Sequence, residues 1–298
     1  MSKHFVSVEG LARHFPDKDQ ELVVFENVNI GLERGEFVCI IGHSGCGKST
    51  ILNVLAGLDE PTHGVVIMDG KEVSGPSLER GVVFQNYSLF PWLSALHNVC
   101  FGVKARWPAW SKQEVASHSR KFLEMVGLGH SLHRKPSQLS GGMRQRVSIA
   151  RAFATSPKLM LLDEPFGALD ALTRGVIQDE LLKIWGETNQ TVFMITHDVD
   201  EAILLADRVL LMTNGPRARV AESVKINLPR PRNRSTIIEQ PGYYKIRNHL
   251  VNFLVSPPAE PDAGQGTREV DPVMAEEPRA RKASEQHEVG NKPRQMAH

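Results

Sequence analysis

The stretch GHSGCGKST, from Gly42 to Thr50, has the residue types and the spacing of a loop that binds phosphate. It fits the pattern G-x-x-x-x-G-K-[ST] through Gly42, Gly47, Lys48 and Ser49. Glycines let the backbone approach an anion closely, and the N–H groups at a helix N-terminus attract it. The apolar run FVCII precedes the loop and helical sequence follows it, which is the context that this pattern requires. We therefore expect a nucleoside triphosphate here, with the lysine on its β- and γ-phosphates and the serine on Mg²⁺.

Two acidic residues, Asp163 and Glu164, follow the apolar run LMLL. We expect both carboxylates at the C-terminal end of a buried strand, the edge at which open α/β sheets bind ligands. There Asp163 would hold Mg²⁺, and Glu164 would act as the general base that orients the attacking water. A strand followed by a solvated acidic turn has the same pattern, but the phosphate loop upstream favours the catalytic interpretation.

Gln85 and His197 also end apolar runs, GVVF and TVFMIT. Alone, either residue is more often structural than catalytic. If the sheet is parallel, however, the strand ends at Gly42, Gln85, Asp163 and His197 converge on one edge. This convergence favours a site in which Gln85 senses the metal and the water, and His197 contacts the γ-phosphate.

A second helix N-terminus suited to anions follows LSGG, at Ser140, Gly141 and Gly142. By itself this pattern is no more than a cap and a turn. The first site is already complete with Lys48 and Asp163, so a second phosphate-binding terminus indicates a site shared between two subunits.

Composition excludes several classes of function. The chain has 298 residues and a net charge of +1, which gives no reason to expect nucleic acid as the main partner. The basic stretch RPRNR at 230–234 contains no aromatic residue, and we interpret it as a solvated turn. Three cysteines without metal spacing argue against zinc and against a disulfide framework. We find no signal peptide and no apolar stretch long enough to cross a bilayer, so a membrane role must come through a partner.

Short apolar strands alternate with helical segments along most of the chain, which predicts a mainly parallel sheet covered by helices. Residues 86–150 contain a helical insert, and YYKIRNHLVNFL predicts an amphipathic helix over about 241–255. Residues 256–298 contain no aromatic residue, leucine or isoleucine. This composition predicts a disordered polar tail, because too little apolar area is available to offset ordering.

Taken in order, GHSGCGKST, Gln85, LSGGMRQR, LMLLDEP, GALD at 167–170 and THD at 196–198 resemble the ATP-binding subunits of ABC transporters. The resemblance covers about residues 5–255, and its motifs are specific. It implies an α/β fold of the P-loop NTPase class, with a RecA-like core, an antiparallel β subdomain and an inserted α-helical subdomain. It also implies ATP and Mg²⁺ as cofactors, and ATP hydrolysis coupled to transport.

The resemblance implies a head-to-tail dimer with a second ATP-binding subunit, identical or different. Each ATP would lie between Lys48 of one subunit and Ser140 of the other. Phe15 would stack on adenine, although a core position is equally compatible with its sequence context, and Asp170 would couple the two sites. The implied nucleotide-binding residues are Phe15, Gly42, His43, Ser44, Gly45, Cys46, Gly47, Lys48, Ser49, Thr50, Ser140, Gly141, Gly142 and Asp170. The implied metal site is Ser49, Gln85 and Asp163, and the catalytic residues are Glu164, His197 and Gln85.

The resemblance also implies a membrane partner. Residues 86–100 would receive an integral membrane permease, with Phe90 and Trp92 as contacts or as core residues. A solute-binding protein would be an indirect partner, and the chain would lie peripherally on the cytoplasmic face of the membrane.

Two C-terminal stretches, MTNGPRARV and LPRPRNR, resemble nitrate, nitrite and cyanate importer ATPases. The neighbouring branch, which imports taurine and alkanesulfonates, shares the LFPWL stretch and remains an alternative. A soluble ABC ATPase of translation or DNA repair is a remote one, because those proteins generally carry two cassettes or long coiled-coil insertions. A purely regulatory nucleotide sensor is the third, and the complete catalytic set speaks against it.

Overall fold

A seven-stranded sheet runs through the part of the chain that the computed structural model describes, residues 4–17, 20–256 and 266–274. In order across this sheet, the strands are Arg268–Val270 (β11), Val220–Lys225 (β10), Arg208–Met212 (β9), Phe37–Ile41 (β3), Thr191–Ile195 (β8), Leu159–Asp163 (β7) and Arg80–Val83 (β6). The five strands from β9 to β6 are mutually parallel. Their carboxyl ends therefore meet at one edge.

An antiparallel sheet packs beside it, in the order Gln20–Leu32 (β2), Val6–Asp17 (β1), His63–Met68 (β4) and Lys71–Glu72 (β5). The β4–β5 hairpin turns at Asp69 and Gly70, both with positive φ, as the Asp-Gly pair predicts. The helices are Lys48–Ala56 (α1), Ala95–Arg106 (α2), Lys112–Met125 (α3), Gly141–Ala154 (α4), Ala171–Thr188 (α5), Val199–Leu205 (α6) and Tyr243–Val255 (α7).

The central strands are apolar throughout because both faces of the sheet are covered. In β3, Phe37, Cys39 and Ile41 pack into one hydrophobic cluster, whereas Val38 and Ile40 pack into another. This alternation follows from the two-residue period of a strand. One cluster joins the sheet to α1 and the antiparallel sheet, and the other joins it to the remaining helices. The strand ends that carry the site thus belong to the most buried part of the fold.

Helices α2, α3 and α4 lie between β6 and β7, in the range where the sequence predicts a helical insert. Serine caps fix where the first two begin. Ser94 accepts from the His97 N–H, and Ser111 forms a reciprocal capping box with Glu114. The division of the chain into subdomains stays a prediction.

The prediction of a disordered tail over 256–298 is wrong for residues 266–274. There β11 pairs in parallel with β10, and Val270 and Val273 pack against the core. Arg268 binds Glu222, and Asn227 binds Asp271. Backbone pairing, one ion pair and one side-chain hydrogen bond order this segment without the large apolar residues on which the prediction depended. The rest of the predicted tail, residues 257–265 and 275–298, lies outside the described residues.

The interpretation of RPRNR as a solvated turn is also wrong for two of its arginines. Arg232 is buried, and its guanidinium donates to the carbonyls of Ile203 and Ala206 at the end of α6. Arg230 donates to Asp207 at 2.8 Å and lies 4.4 Å from the centre of the Trp185 ring. The last carbonyls of a helix need donors, and these arginines supply them.

Candidate functional site

The phosphate loop, residues 42–50, runs from the end of β3 into the first turn of α1, at the carboxyl edge of the parallel strands. Its Gly47 has φ 95°, in the left-handed region, and immediately precedes the helix. A Cβ at this position would lie 2.7 Å from Phe25 and 2.8 Å from Val24, both on β2. Only glycine fits both the backbone conformation and the space, so the loop can close tightly over the N-terminus of α1.

Lys48 is buried to 5% exposure within this loop. Its Nζ donates to the carbonyls of Gly42 and His43, at 2.8 Å each. The ammonium therefore lies over the opening of the loop, next to a cavity of about 250 Å³. That cavity is lined by Val24, Ser44, Gly45, Gly47, Lys48, Ser49, Thr50, Glu164 and His197. A buried ammonium beside backbone N–H groups is a donor set that fits phosphate oxygens.

Ser49 and Asp163 bring the loop and the end of β7 together. The Ser49 hydroxyl donates to Asp163 Oδ1 at 3.2 Å. Burial raises the pKa of Asp163, and the Ser49 hydrogen bond opposes that rise. A hydroxyl oxygen beside a carboxylate is the kind of partial ligand set that Mg²⁺ uses when phosphates complete its coordination. Among the described residues no cluster of three or more His, Cys, Asp or Glu could hold a metal ion by itself.

The three predicted catalytic side chains lie together, because His197 and Gln85 both contact the carboxylate of Glu164. His197 Nε2 lies 2.5 Å from its Oε1, and Gln85 Nε2 donates to its Oε2 at 3.4 Å. Glu164 itself has φ 44°, an uncommon value for a residue other than glycine, and its N–H binds the Ile195 carbonyl at 3.1 Å. Strain of this kind concentrates at functional sites, where the surrounding structure enforces it. The convergence of the strand ends at Gly42, Gln85, Asp163 and His197 thus brings together the side chains that the sequence singles out.

The Ser140–Gly142 segment does not line this cavity. Ser140 caps α4 by accepting from the Met143 N–H at 3.3 Å, and it is exposed. Asp170 caps α5 in the same way, by accepting from the Thr173 N–H at 3.0 Å. That backbone hydrogen bond lowers the pKa of Asp170. Both helix N-termini are therefore formed and stay open to a partner.

Phe15 lies on β1 and is 37% exposed, so its side chain is not a core residue. The Arg13 guanidinium lies 4.5 Å from the centre of its ring. Phe90 and Trp92 form an aromatic group with Phe101, which the sequence analysis missed. Trp92 is 67% exposed and Phe101 58%. The adenine contact of Phe15 and the permease contacts of Phe90 and Trp92 stay predictions.

A neighbouring cavity of about 430 Å³ shares Glu164 and His197 with the first. Its lining also includes Arg174, Asp198 and Glu201, which the sequence analysis did not single out. Burial raises the pKa of Glu201 to about 7.

Comparison with known proteins gives concordant results. Residues 25–167 match the family described as ABC transporter. The bicarbonate transport ATP-binding protein CmpD of Synechocystis sp. is 50% identical over 250 residues, which are 84% of this chain and 89% of that protein. The nitrate import ATP-binding protein NrtD of Synechococcus elongatus is 49% identical over 250 residues, 84% and 91% of the two chains. A dimeric structure of the ATP-binding cassette MJ0796, in a post-hydrolysis state bound to ADP and Pi, superposes with a TM-score of 0.68 at 34% identity, covering 75% of this chain and all of that one.

Proposed function

This chain belongs to the ABC transporter family and is an ATP-hydrolysing subunit, and from this premise we propose that it powers the import of a small anion, nitrate or nitrite, through a separate permease. The observation that carries ATP hydrolysis in this proposal is the meeting of the phosphate loop with the Glu164, His197 and Gln85 side chains at one sheet edge. A loop that binds phosphate and a carboxylate that faces the same cavity suit in-line attack of water on a γ-phosphate.

Binding of the triphosphate would rest on the loop. The backbone N–H groups of residues 43–50 and the N-terminus of α1 would hold the phosphates, and Lys48 would turn from its two carbonyl partners to the β- and γ-phosphate oxygens. Ser49 and Asp163 would hold Mg²⁺, assisted by Gln85. When bound there, Mg²⁺ neutralises phosphate charge. Gly45, Cys46 and Thr50 shape the loop around the anion.

Hydrolysis would rest on Glu164. Its carboxylate orients a water molecule and accepts the proton as the water oxygen bonds to the γ-phosphorus. The bond from that phosphorus to the bridging oxygen breaks, which leaves ADP and inorganic phosphate. His197 holds Glu164 at 2.5 Å and contacts the γ-phosphate, while Gln85 donates to the other carboxylate oxygen and senses the water.

A second ATP-binding subunit would complete each site. Ser140, Gly141 and Gly142 form an open N-terminus on the 14-residue helix α4, outside the cavity of their own chain. They would bind the γ-phosphate held by the partner's phosphate loop, and Asp170 would couple the two sites. Phe15 would stack on adenine. The related cassette MJ0796 has been solved as a dimer, which supports this arrangement.

The membrane partner would bind the aromatic group of Phe90, Trp92 and Phe101, because Trp92 and Phe101 are exposed and exposed apolar surface favours an interface. In this arrangement the chain would lie peripherally on the cytoplasmic face of the membrane. Among the described residues no helix is long and apolar enough to span a bilayer.

The identity of the transported solute is the most specific part of the proposal. Relatives named for bicarbonate and for nitrate are nearly equally similar to this chain, so bicarbonate joins the alternatives of cyanate, taurine and alkanesulfonates. All of these solutes except taurine, a zwitterionic sulfonate, are small anions. The ATP-binding subunit does not contact the solute in this mechanism, which is why its residues do not separate the alternatives.

Growth and uptake in a strain lacking this chain test the cargo. We expect loss of uptake with nitrate as the sole nitrogen source, restored by the wild-type chain and not by Glu164→Gln. Uptake of bicarbonate, and of taurine as the sole sulfur source, should stay normal. Loss of uptake confined to bicarbonate or to the sulfur compounds would contradict the nitrate assignment and leave the ATPase mechanism standing.

A further inference from the structure

Glu201 is a buried carboxylate whose partners lie beside His197, yet the mechanism above does not use it. It lies in the first turn of α6 and is 6% exposed. One of its carboxylate oxygens accepts from the Thr196 hydroxyl, and the other accepts from the Gln178 amide. Gln178 is itself 1% exposed.

Both of these hydrogen-bond partners are neutral, and no cation in the described part of the chain forms an ion pair with the carboxylate. Burial of a charge under these conditions is costly, and burial raises the pKa of Glu201 to about 7. An apolar side chain would fill the same space at lower cost. We therefore interpret the Glu201 carboxyl as a group that holds its hydrogen-bond partners in place.

The Thr196 hydroxyl connects Glu201 to the residues on both sides of His197. It donates to Glu201 and accepts from the Asp198 N–H at 3.1 Å. Asp198 Oδ1 in turn accepts from the Glu201 N–H at 3.0 Å. The Thr196 N–H binds the Ile40 carbonyl of β3, at 3.3 Å. These bonds form a closed ring that fixes the backbone from which the His197 imidazole extends toward Glu164.

Helix α5 holds this ring from a second side. Arg174 and Gln178 are four residues apart and so share a helix face. Arg174 Nη1 binds Asp198 Oδ2 at 3.3 Å, while its Nη2 donates to the Leu169 carbonyl at 3.2 Å. The loop before Asp170 and the segment around His197 are therefore attached to the same helix.

We propose that Glu201 is a positioning residue for ATP hydrolysis, which holds Thr196 against α5 so that His197 faces Glu164 and the γ-phosphate. Glu201 does not touch the nucleotide, and it acts through His197. The proposal rests on the role given to His197 in the proposed function. A displacement of a catalytic group by about 1 Å lowers a rate by roughly 100-fold, so modest loosening of the ring is expected to be visible.

Two variants test the ring in the full-length chain. Thr196→Val keeps the side-chain shape and removes the hydroxyl, and Gln178→Leu removes the amide that binds Glu201. We expect kcat for ATP hydrolysis to fall by about 10- to 100-fold in each, while KM for ATP changes by less than about twofold. KM is spared because the contacts of Lys48 are untouched.

Gln190→Leu is the matched control for the loss of a buried amide. Gln190 is 8% exposed and precedes β8, at the opposite end of that strand from His197. Its amide donates to the Pro157 carbonyl at 2.8 Å, and its Oε1, like that of Gln178, is buried without a hydrogen-bond partner among the described residues. Gln178→Leu and Gln190→Leu should both lower the Tm, and only Gln178→Leu should lower kcat. Equal losses of kcat would overturn the proposal.

A double-mutant cycle with His197→Ala identifies the route of action. If Glu201 acts through His197, Thr196→Val should produce no further loss of kcat in the His197→Ala background. Additive losses of kcat would overturn the positioning role alone. So would a wild-type kcat in Thr196→Val and Gln178→Leu when His197→Ala is impaired. Wild-type kcat in His197→Ala would instead contradict the role given to His197 in the proposed function.

Discussion

Glu164→Gln should abolish ATP turnover while ATP binding is retained. Glutamine has the shape of glutamate and keeps one oxygen, but its amide does not accept the proton of the attacking water. Loss of a positioned general base costs about 100- to 10,000-fold in rate. The phosphate contacts of Lys48 and the loop are unaffected, so the Kd for ATP should stay within about twofold. Phosphate release measures the first quantity, and equilibrium dialysis with labelled ATP measures the second.

Glu180→Gln is the matched control for this substitution. Glu180 lies on α5 beside Arg146, at 3.5 Å, and does not line the site cavity. The same change there should leave ATP turnover at the wild-type rate. Hydrolysis by Glu164→Gln at a rate near that of the wild type would contradict the assignment of the base.

Lys48→Ala should weaken ATP binding and abolish turnover together. Lys48 is 5% exposed and is the only Lys, Arg, Asp or Glu in the stretch 42–50. A hydrogen bond to a charged group contributes about 1.5–3 kcal/mol, which corresponds to roughly 10- to 100-fold in affinity. Binding of ATP by the purified variant, measured by equilibrium dialysis, checks this. The affinity for ATP distinguishes Lys48→Ala from Glu164→Gln, because only Lys48→Ala should bind ATP more weakly than the wild type.

Lys158→Ala controls for the removal of a lysine. Lys158 is 46% exposed and pairs with Asp69 and Glu79. It directly precedes β7, at the opposite end of that strand from Asp163. Its loss should change neither the Kd for ATP nor kcat. If Lys48→Ala bound and hydrolysed ATP as the wild type does, the phosphate-loop interpretation would be wrong.

The sequence could predict the parallel sheet and its site edge because three short apolar runs lead directly to the polar residues Gln85, Asp163 and His197. Strands that are buried on both faces consist of continuous apolar runs. Because the strands are parallel, Gln85, Asp163 and His197 lie at the same edge of the sheet. The ABC transporter resemblance and the P-loop NTPase fold are confirmed by the family match and by the solved cassette. The roles of individual site residues stay predictions.

Other features depend on packing that no local pattern records. Glu201 has the spacing of an ordinary helix residue, and only the approach of α5 buries it against Gln178. Arg232 occurs in a proline-rich basic stretch, and its burial follows from the open carbonyls at the end of α6. Strand β11 forms from a polar segment because its backbone pairs with the edge of β10. In each case the stabilising contact joins segments far apart in sequence, which is why composition and periodicity missed it.

The shared ATP site is the central claim, and sedimentation of Glu164→Gln with and without ATP and Mg²⁺ tests it most directly. The variant should bind ATP without hydrolysing it, so the Lys48 side of one subunit and the Ser140 side of another should stay joined. We expect the mass to double with ATP, to remain that of a monomer with ADP, and to remain that of a monomer with ATP when Ser140→Arg is added. A dimer that Ser140→Arg leaves intact would contradict the shared site, and a Glu164→Gln chain that stays monomeric at saturating ATP would contradict a site shared by two copies of this chain.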